Sequence, residues 1–457
     1  MANRRRPRSR LHAVMRCGLL ALLVLFVYWD NTALRTDSLT STSTALPTEF
    51  DGLRIVQLSD LHNREFGEDN ARLYRAVEQA APDLIFLTGD LVDEYAEAPI
   101  PYAKAVGKAL SAIAPTYYVT GNHEWAHGNA AVEELKTALR ESGVTVLSNQ
   151  FVPLERNGQT IFIAGIDDPN GYADQKTPEE LAAQEVEDLL ASLTLEEKVG
   201  QLFFVRVPDT DAVSDVSTYH LGGYILFGRD TADKTADALI QTIQSYQDAA
   251  AVDTGIPLLI GVDEEGGTGV RVSSNPHLRA SKFPSPQKAY ASGGMEAVLA
   301  DTREKDLLLS ALGFNVNLSP VADVSTNPAD FMYDRTFGQD AAATADYVAQ
   351  VVSQMAEDGM GSVLKHFPGY GNNADTHVGI AIEKRPLESF TSSDFLPFQA
   401  GMESGGGKTA VLVSHNIMTA VDGDLPASLS PKVHGLLRTD LGFDGVVMTD
   451  DLAMEAV

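Results

Sequence analysis

Two rhythms of apolar and polar residues run along this chain of 457 residues, and they change character near its middle. In the first half, three apolar runs end abruptly in polar groups: "LRIVQLSDLHN", "APDLIFLTGDLVD" and "PTYYVTGNHEW". Short runs rich in β-branched and aromatic residues, bounded by turn formers, predict strands. The first of them reads as a buried strand. From Thr177 onward, helix-length amphipathic segments take over. "TPEELAAQEVEDLLASL" sets Thr177 as an N-cap, Pro178 at the first helical position and Glu180 as its capping-box partner, and "LTLEEKVGQL" repeats the device with Thr194 and Glu197. Strand candidates then alternate with helical patterns: "VGQLFFVRV", "GGYILFG", "IPLLIGVD", "NVNLSPVADV", "SVLKHF", "TAVLVSH" and "GVVMTDD". Repeated strand–helix units predict a parallel α/β architecture, with a TIM-type barrel expected and a doubly wound open sheet as the alternative.

Charge narrows the partners. A formal net charge of −29 argues against nucleic acid, because affinity for phosphate backbones rests on Lys and Arg. The N-terminus runs the other way. Arg4, Arg5, Arg6, Arg8, Arg10 and Arg16 precede an apolar run from Cys17 to Trp29. A basic flank before an apolar core predicts a signal anchor, with the remaining domains outside the cytoplasm, or secreted if the segment is cleaved. Cys17 is the only cysteine, so no intramolecular disulfide can form.

Candidate chemistry sits where strands end. In the first half these ends carry Asp60 and His62, then Asp90 and Asp93, then Asn122, His123 and Glu124. Asp and His together suit Mn, Fe or Zn, and strand-end loops are where α/β folds place ligands. The ordered set D-x-H, GDxxD and GNHE resembles the calcineurin-like metallophosphoesterases, over about Leu53 to Asp168. The resemblance implies Asp60, His62, Asp90 and Asn122 as metal ligands, with Asp90 bridging two metals and His123 assisting the leaving group. The family's later histidine and its G-H-x-H motif have no counterpart, since no histidine lies between His127 and His220. The metal site is therefore expected to be incomplete.

In the second half Asp263, Lys365, His366, His415 and Asp450 end strand candidates, and "KHFPGYGNNADTHVG" places Asp375 and His377 in a Pro/Gly-rich loop. A carboxylate near an imidazole orients it and stabilises its protonated form. "LTLEEKVGQLFFV", "GVDEEGG", "DRTFG", "LKHFPGYG" with DTH, and "ASLSPKVHGLLRTDLGFDGVVMTDDLAM" resemble glycoside hydrolase family 3, in its β-N-acetylglucosaminidase branch, from about Val186 to the end. The resemblance implies Asp450 as nucleophile and His377, paired with Asp375, as general acid/base. It also implies sugar-binding roles for Asp263, Arg335, Lys365 and His366, with His415 and Met454 lining the pocket. The expected activity is retaining hydrolysis of terminal β-linked N-acetylhexosamine, with no cofactor and an amino-sugar glycan or cell-wall fragment as substrate. Phosphorolysis is a minor alternative.

The expected organisation is a basic flank and anchor at 1–31, a polar spacer at 32–52 and a partial metallophosphoesterase-like domain at 53–170. A junction at 171–185 then leads into a family 3 barrel domain at 186–457. The chain stops seven residues past Asp450, so the barrel is expected to be incomplete. Two alternatives stand beside the glycosidase reading: a metal-dependent phosphoesterase in the first half, or a catalytically impaired fusion or fragment of two truncated enzymes.

Overall fold

The computed structural model describes residues 15–21, 23, 34–43, 46–97, 99–157, 159–169, 171, 176–373, 376, 379–455 and 457. The chain divides into two compact units, Met1–Leu189 and Leu190–Val457. The dividing point falls within the helix Pro178–Ser192, whose capping box forms as expected: the Glu180 amide donates to Thr177 Oγ1 at 3.2 Å and the Thr177 amide to Glu180 at 2.8 Å. Leu181 is that helix's buried residue. The expected anchor run falls mostly outside the described residues; among those described, no helix is long and apolar enough to cross a membrane.

In the first unit, β1 (Ile55–Leu58), β2 (Leu84–Thr88), β3 (Thr116–Val119) and β4 (Thr145–Val146) form a parallel sheet in chain order. Parallel neighbours need crossovers, supplied by helices Ala71–Ala80, Pro99–Ser111 and Asn129–Glu141. Central β2 buries Ile85 and Leu87, whereas β1 pairs on one side only and leaves Ile55 44% exposed. The expectation of a buried first strand is thus corrected: its position at the sheet edge overrides its apolar sequence. Strands β5 (Gln150–Arg156) and β6 (Gln159–Gly165) form a separate antiparallel hairpin.

In the second unit all seven predicted strands form. They are β7 (Phe204–Arg206), β8 (Gly223–Leu226), β9 (Leu259–Val262), β10 (Val316–Asn317), β11 (Gly361–Phe367), β13 (Thr409–Val413) and β15 (Val447–Thr449), all parallel and adjacent in chain order. A small parallel pair, β12 (Ile382–Glu383) with β14 (Ile417–Met418), stands apart. Side chains alternate across a strand, so the sheet has two apolar faces. The helix-covered face holds the large core, including Ile260, Val262, Leu364, Val411 and Val413. The other carries a small cluster of Val316, Leu318, Val363 and Leu412, with Ile225 and Met448 packed against it. The sheet is curled toward that smaller side. Phe204 of β7 and Leu318, just past β10, both lie over Gly261 of β9, where an added Cβ would come within 2.5 Å of Phe204 and 3.0 Å of Leu318. Glycine at 261 lets strands from both flanks fill the concave side.

Candidate active site

Because the seven strands are parallel, their C-terminal ends share one edge, where such folds collect functional groups. Asp263 follows β9, Lys365 and His366 lie within the end of β11, His415 follows β13, and Asp450 follows β15. Lys365 is the hub. It is 2% exposed, its Nζ donates to Asp263 Oδ1 at 2.7 Å, and it lies 2.5 Å from Glu265 Oε1. Arg335, carried in from the loop after β10, grips Glu265 with two bonds, Nε to Oε2 at 2.9 Å and Nη2 to Oε1 at 2.7 Å. Such forked pairs fix orientation as well as charge. Arg271 reaches Asp263 Oδ2 at 3.3 Å.

These contacts set the charges. Burial alone would raise the Glu265 carboxyl, but Lys365 and Arg335 outweigh it and hold the group below the usual carboxylate range. Burial likewise opposes the Lys365 charge, and Asp263 and Glu265 prevail, raising it above an ordinary lysine. Lys365 and Glu265 therefore fix one another's charges without a ligand.

Beside it, His366 is locked by Asp323. Asp323 Oδ2 meets His366 Nδ1 at 2.7 Å and accepts from the His366 amide at 3.2 Å, while Oδ1 accepts from the Tyr370 amide at 2.7 Å. A proton on Nδ1 leaves Nε2 to address a ligand. The loop beyond is braced from below. Arg385 bonds both oxygens of Asp394 and also Glu383, which accepts from Asn373 at 2.9 Å. Left-handed Gly369 sits so close that an added Cβ would come within 2.4 Å of Asp394.

Asp263, Arg335, Lys365 and His366 come together at one edge. Asp375 and His377 lie outside the described residues. His415 differs from expectation. It is fully buried, Nδ1 meets Ser428 Oγ at 2.7 Å and Nε2 meets the Asp451 carbonyl at 3.0 Å. Its nitrogens brace the turn after Asp450 rather than facing a ligand. Met454 is buried near the same turn, with its amide bonded to the Asp451 carbonyl. Glu264, Glu265, Asp323 and Tyr370 escaped the sequence reading. Glu264 and Glu265 stood in view as the two carboxylates after Asp263, and Glu264, fully buried, accepts the amides of Arg271, Val272 and Ser273.

The first unit has its own strand-end cluster. The loops after β1 and β2 are stitched together, the His62 amide donating to the Asp90 carbonyl at 2.9 Å. Buried Glu124 accepts the amides of Asp90, Val92 and Gly121 at 2.7–3.1 Å. Burial raises the Glu124 carboxyl, against the pull of those amides. Ligand atoms of His62, Asp90 and His123 lie within 4.8 Å of one another, and His62 Nδ1 has no hydrogen-bond partner among the described residues. These features fit a divalent ion. His123 is a poorer ligand than the distances suggest. Its Nδ1 accepts from the Glu94 amide at 3.2 Å, so the neutral ring carries its proton on Nε2, the state of a donor. Asp60 and Asn122 are exposed at the rim.

The model of the glycosyl hydrolase family 3 N-terminal domain matches residues 194–457. The chain belongs to glycoside hydrolase family 3. The calcineurin-like phosphoesterase model matches residues 53–237, overlapping the first match across β7 and β8, which belong to the seven-stranded sheet of the family 3 domain. Among curated relatives, the beta-hexosaminidase LpqI of Mycobacterium tuberculosis is 34% identical over 271 residues, covering 58% of this chain and 66% of the relative. A beta-hexosaminidase of Stenotrophomonas maltophilia is 33% identical over 244 residues, covering 52% of this chain and 69% of that protein. Among solved structures, a glycoside hydrolase family 3 beta-N-acetylglucosaminidase from Paenibacillus sp. aligns with a TM-score of 0.54 at 32% identity, over 58% of this chain and 51% of that one. M. tuberculosis LpqI aligns with a TM-score of 0.51 at 29% identity, over 59% and 77%. The family 3 chain thus spans less than two thirds of the first of these curated relatives and about half of the Paenibacillus enzyme.

Proposed function

We propose that the second unit is the catalytic part of a retaining hydrolase that releases terminal β-linked N-acetylhexosamine through a glycosyl-aspartate intermediate. One observation carries the reading: ion pairs built around buried Lys365 and Glu265 gather Asp263 and Arg335, with His366 beside them, at the strand edge that also bears Asp450. Asp263 and the three basic groups would hold ring hydroxyls and the acetamido side. In this reading the Asp450 carboxylate attacks the anomeric carbon as the bond to the leaving oxygen breaks. That oxygen takes its proton from His377, which Asp375 orients. Water then gives a proton to neutral His377 and attacks the same carbon, freeing Asp450 with net retention. The seven-stranded sheet is read as part of a TIM-type (β/α)8 barrel. The basic and apolar N-terminal segment is read as an anchor holding the domains outside the cytoplasm.

A second reading rests on the His62, Asp90 and His123 cluster: the first unit holds a divalent Mn, Fe or Zn ion through Asp60, His62, Asp90 and Asn122. Such an ion supplies Lewis acidity toward a phosphoester. His123, with its proton on Nε2, would donate a hydrogen bond to a leaving oxygen.

Release of chromophore from an aryl β-N-acetylglucosaminide tests the first reading. Asp450→Ala and His377→Ala are each expected to lower turnover by about a thousandfold or more. Well-folded protein that releases none would sink it.

A further inference from the structure

Between Asp375 and His377 in sequence stands Thr376, and Thr376 is tied down. It is 1% exposed. Its amide donates to the Tyr370 phenol oxygen at 2.8 Å, and that hydroxyl donates back to Thr376 Oγ1 at 3.1 Å. Tyr370 is itself 2% exposed and anchored twice more. Its amide donates to Asp323 Oδ1 at 2.7 Å, on the carboxylate that locks His366, and its ring lies edge-on to the His366 ring with centroids 5.7 Å apart. Val321 and Met332 pack around it. One residue thus touches both members of the His366–Asp323 pair and the residue that lies between Asp375 and His377 in sequence.

We propose that Tyr370 is a positioning residue, whose phenol holds Thr376, the residue between Asp375 and His377 in sequence, in register with the His366–Asp323 pair. The proposal rests on the hexosaminidase reading for its catalytic consequence, not for the tether itself. A core aromatic needs only its ring to fill space. Here the hydroxyl closes a reciprocal pair of bonds with one residue six positions on, inside a loop rich in glycine. A bond held by a rigid, buried ring restrains Thr376 more than its own backbone would. Errors near 1 Å in a proton donor's position cost on the order of a hundredfold in rate.

Tyr370→Phe keeps the ring and deletes the link. It should lower kcat about tenfold to a hundredfold with KM changed less than about twofold. Thr376→Val, nearly isosteric but lacking the hydroxyl, should reduce kcat in the same direction, Thr376→Ser should retain it, and the Tyr370→Phe/Thr376→Val double variant should fall short of the product of the single losses. Hydrogen exchange reads the tether without turnover: the Thr376 amide should exchange at least about tenfold faster in Tyr370→Phe at unchanged global stability. If the wild-type chain releases no chromophore, the hexosaminidase reading fails and exchange alone decides the tether. Unchanged exchange, or losses that multiply independently, overturns the proposal.

Discussion

The two units place acidic and basic side chains in the same kind of location, past the C-terminal ends of parallel strands, and treat them oppositely. In the second unit the groups neutralise one another. Lys365, Glu265 and Asp263 are joined at 2.5–2.7 Å, with Lys365 and Glu265 only 2–3% exposed. In the first unit His62 stays 3.7 Å from Asp60 and 3.9 Å from Asp93, beyond hydrogen-bond range, and the Asp60 side chain is 66% exposed. Its backbone is strained as well: Asp60, His62, Asn63 and Asp90 all adopt left-handed φ of 47–57°. Left-handed residues other than glycine cost on the order of 1 kcal/mol each and persist where surroundings enforce them. Here Glu124 holds the Asp90 amide, and the amides of Asp60, His62 and Asn63 donate to the carbonyls of Gly89, Asp90 and Leu91. A self-neutralised site suits an uncharged sugar, whereas an open set of like charges suits a cation.

The sharpest way to break this contrast is to remove the hub of the paired site. Lys365→Met leaves Asp263 facing Arg271 alone and strips Glu265 of one of its two cations. Breaking a buried pair from one side costs about 3–5 kcal/mol. Urea denaturation of the second unit should show a loss of that order; a loss below about 1 kcal/mol would mean the web contributes no stability. The sign of the pH effect follows from Glu265. Its acid is depressed from 4.5, so its contribution is fully present above that pH and is lost as pH falls below it. Lys365→Met should flatten this acid limb.

The open site gives a smaller effect of a different kind. Mn2+ or Zn2+ at about a hundred times its dissociation constant stabilises the ion-binding state by about 2.7 kcal/mol. Calorimetry of the full chain should therefore show an upward shift of the first unit's transition, abolished in Asp90→Asn and His62→Ala. Chelator should leave chromogenic turnover of the glycoside unchanged. A metal shift that survives Asp90→Asn would show that the cluster is not the ion's site.

The contrast also explains what could be read from sequence. Each of the seven strands was legible because a short apolar run bounded by glycine or a polar stop is a local signal. Lengths were not: of "NVNLSPVADV" only Val316 and Asn317 stand in the strand. Asp263, Lys365 and His366 were visible as strand-end polar residues. Glu265 was not assigned a role, because the cation that makes its burial tolerable, Arg335, lies 70 residues away. Asp323 and Tyr370 are similar cases, their meaning fixed by partners 43 and 47 residues distant. His415 misled for the same reason. A histidine at a strand end reads as pocket lining until Ser428 and Asp451 occupy both its nitrogens.

The mildest test concerns a group that belongs to neither site. Asp306, on the helix Pro286–Ala311, is 1% exposed, and neither carboxylate oxygen has a hydrogen-bond partner among the described residues. Burial, aided by the Asp358 carboxylate and opposed by Lys305, pushes it up to about 7 from 3.8. A raised acid keeps its stability below its unfolded value and loses it as pH rises through the folded one. The second unit should therefore lose stability between about pH 4 and 8 through this residue, by at most a few kcal/mol at about 1.4 per unit. Asp306→Asn removes the titration while keeping the shape. If it matches wild type near pH 5, it should exceed it at pH 8 by at most about 3 kcal/mol in urea denaturation, about two units of titration at about 1.4 kcal/mol each. An equal difference at both pH values would show that Asp306 is not the neutral buried acid its surroundings require. Together with an intact Lys365 effect, the predicted pattern would set the paired carboxylates of the sugar-type site apart from an unpaired one in the same fold, where burial and Asp358 outweigh Lys305 and reverse the sign.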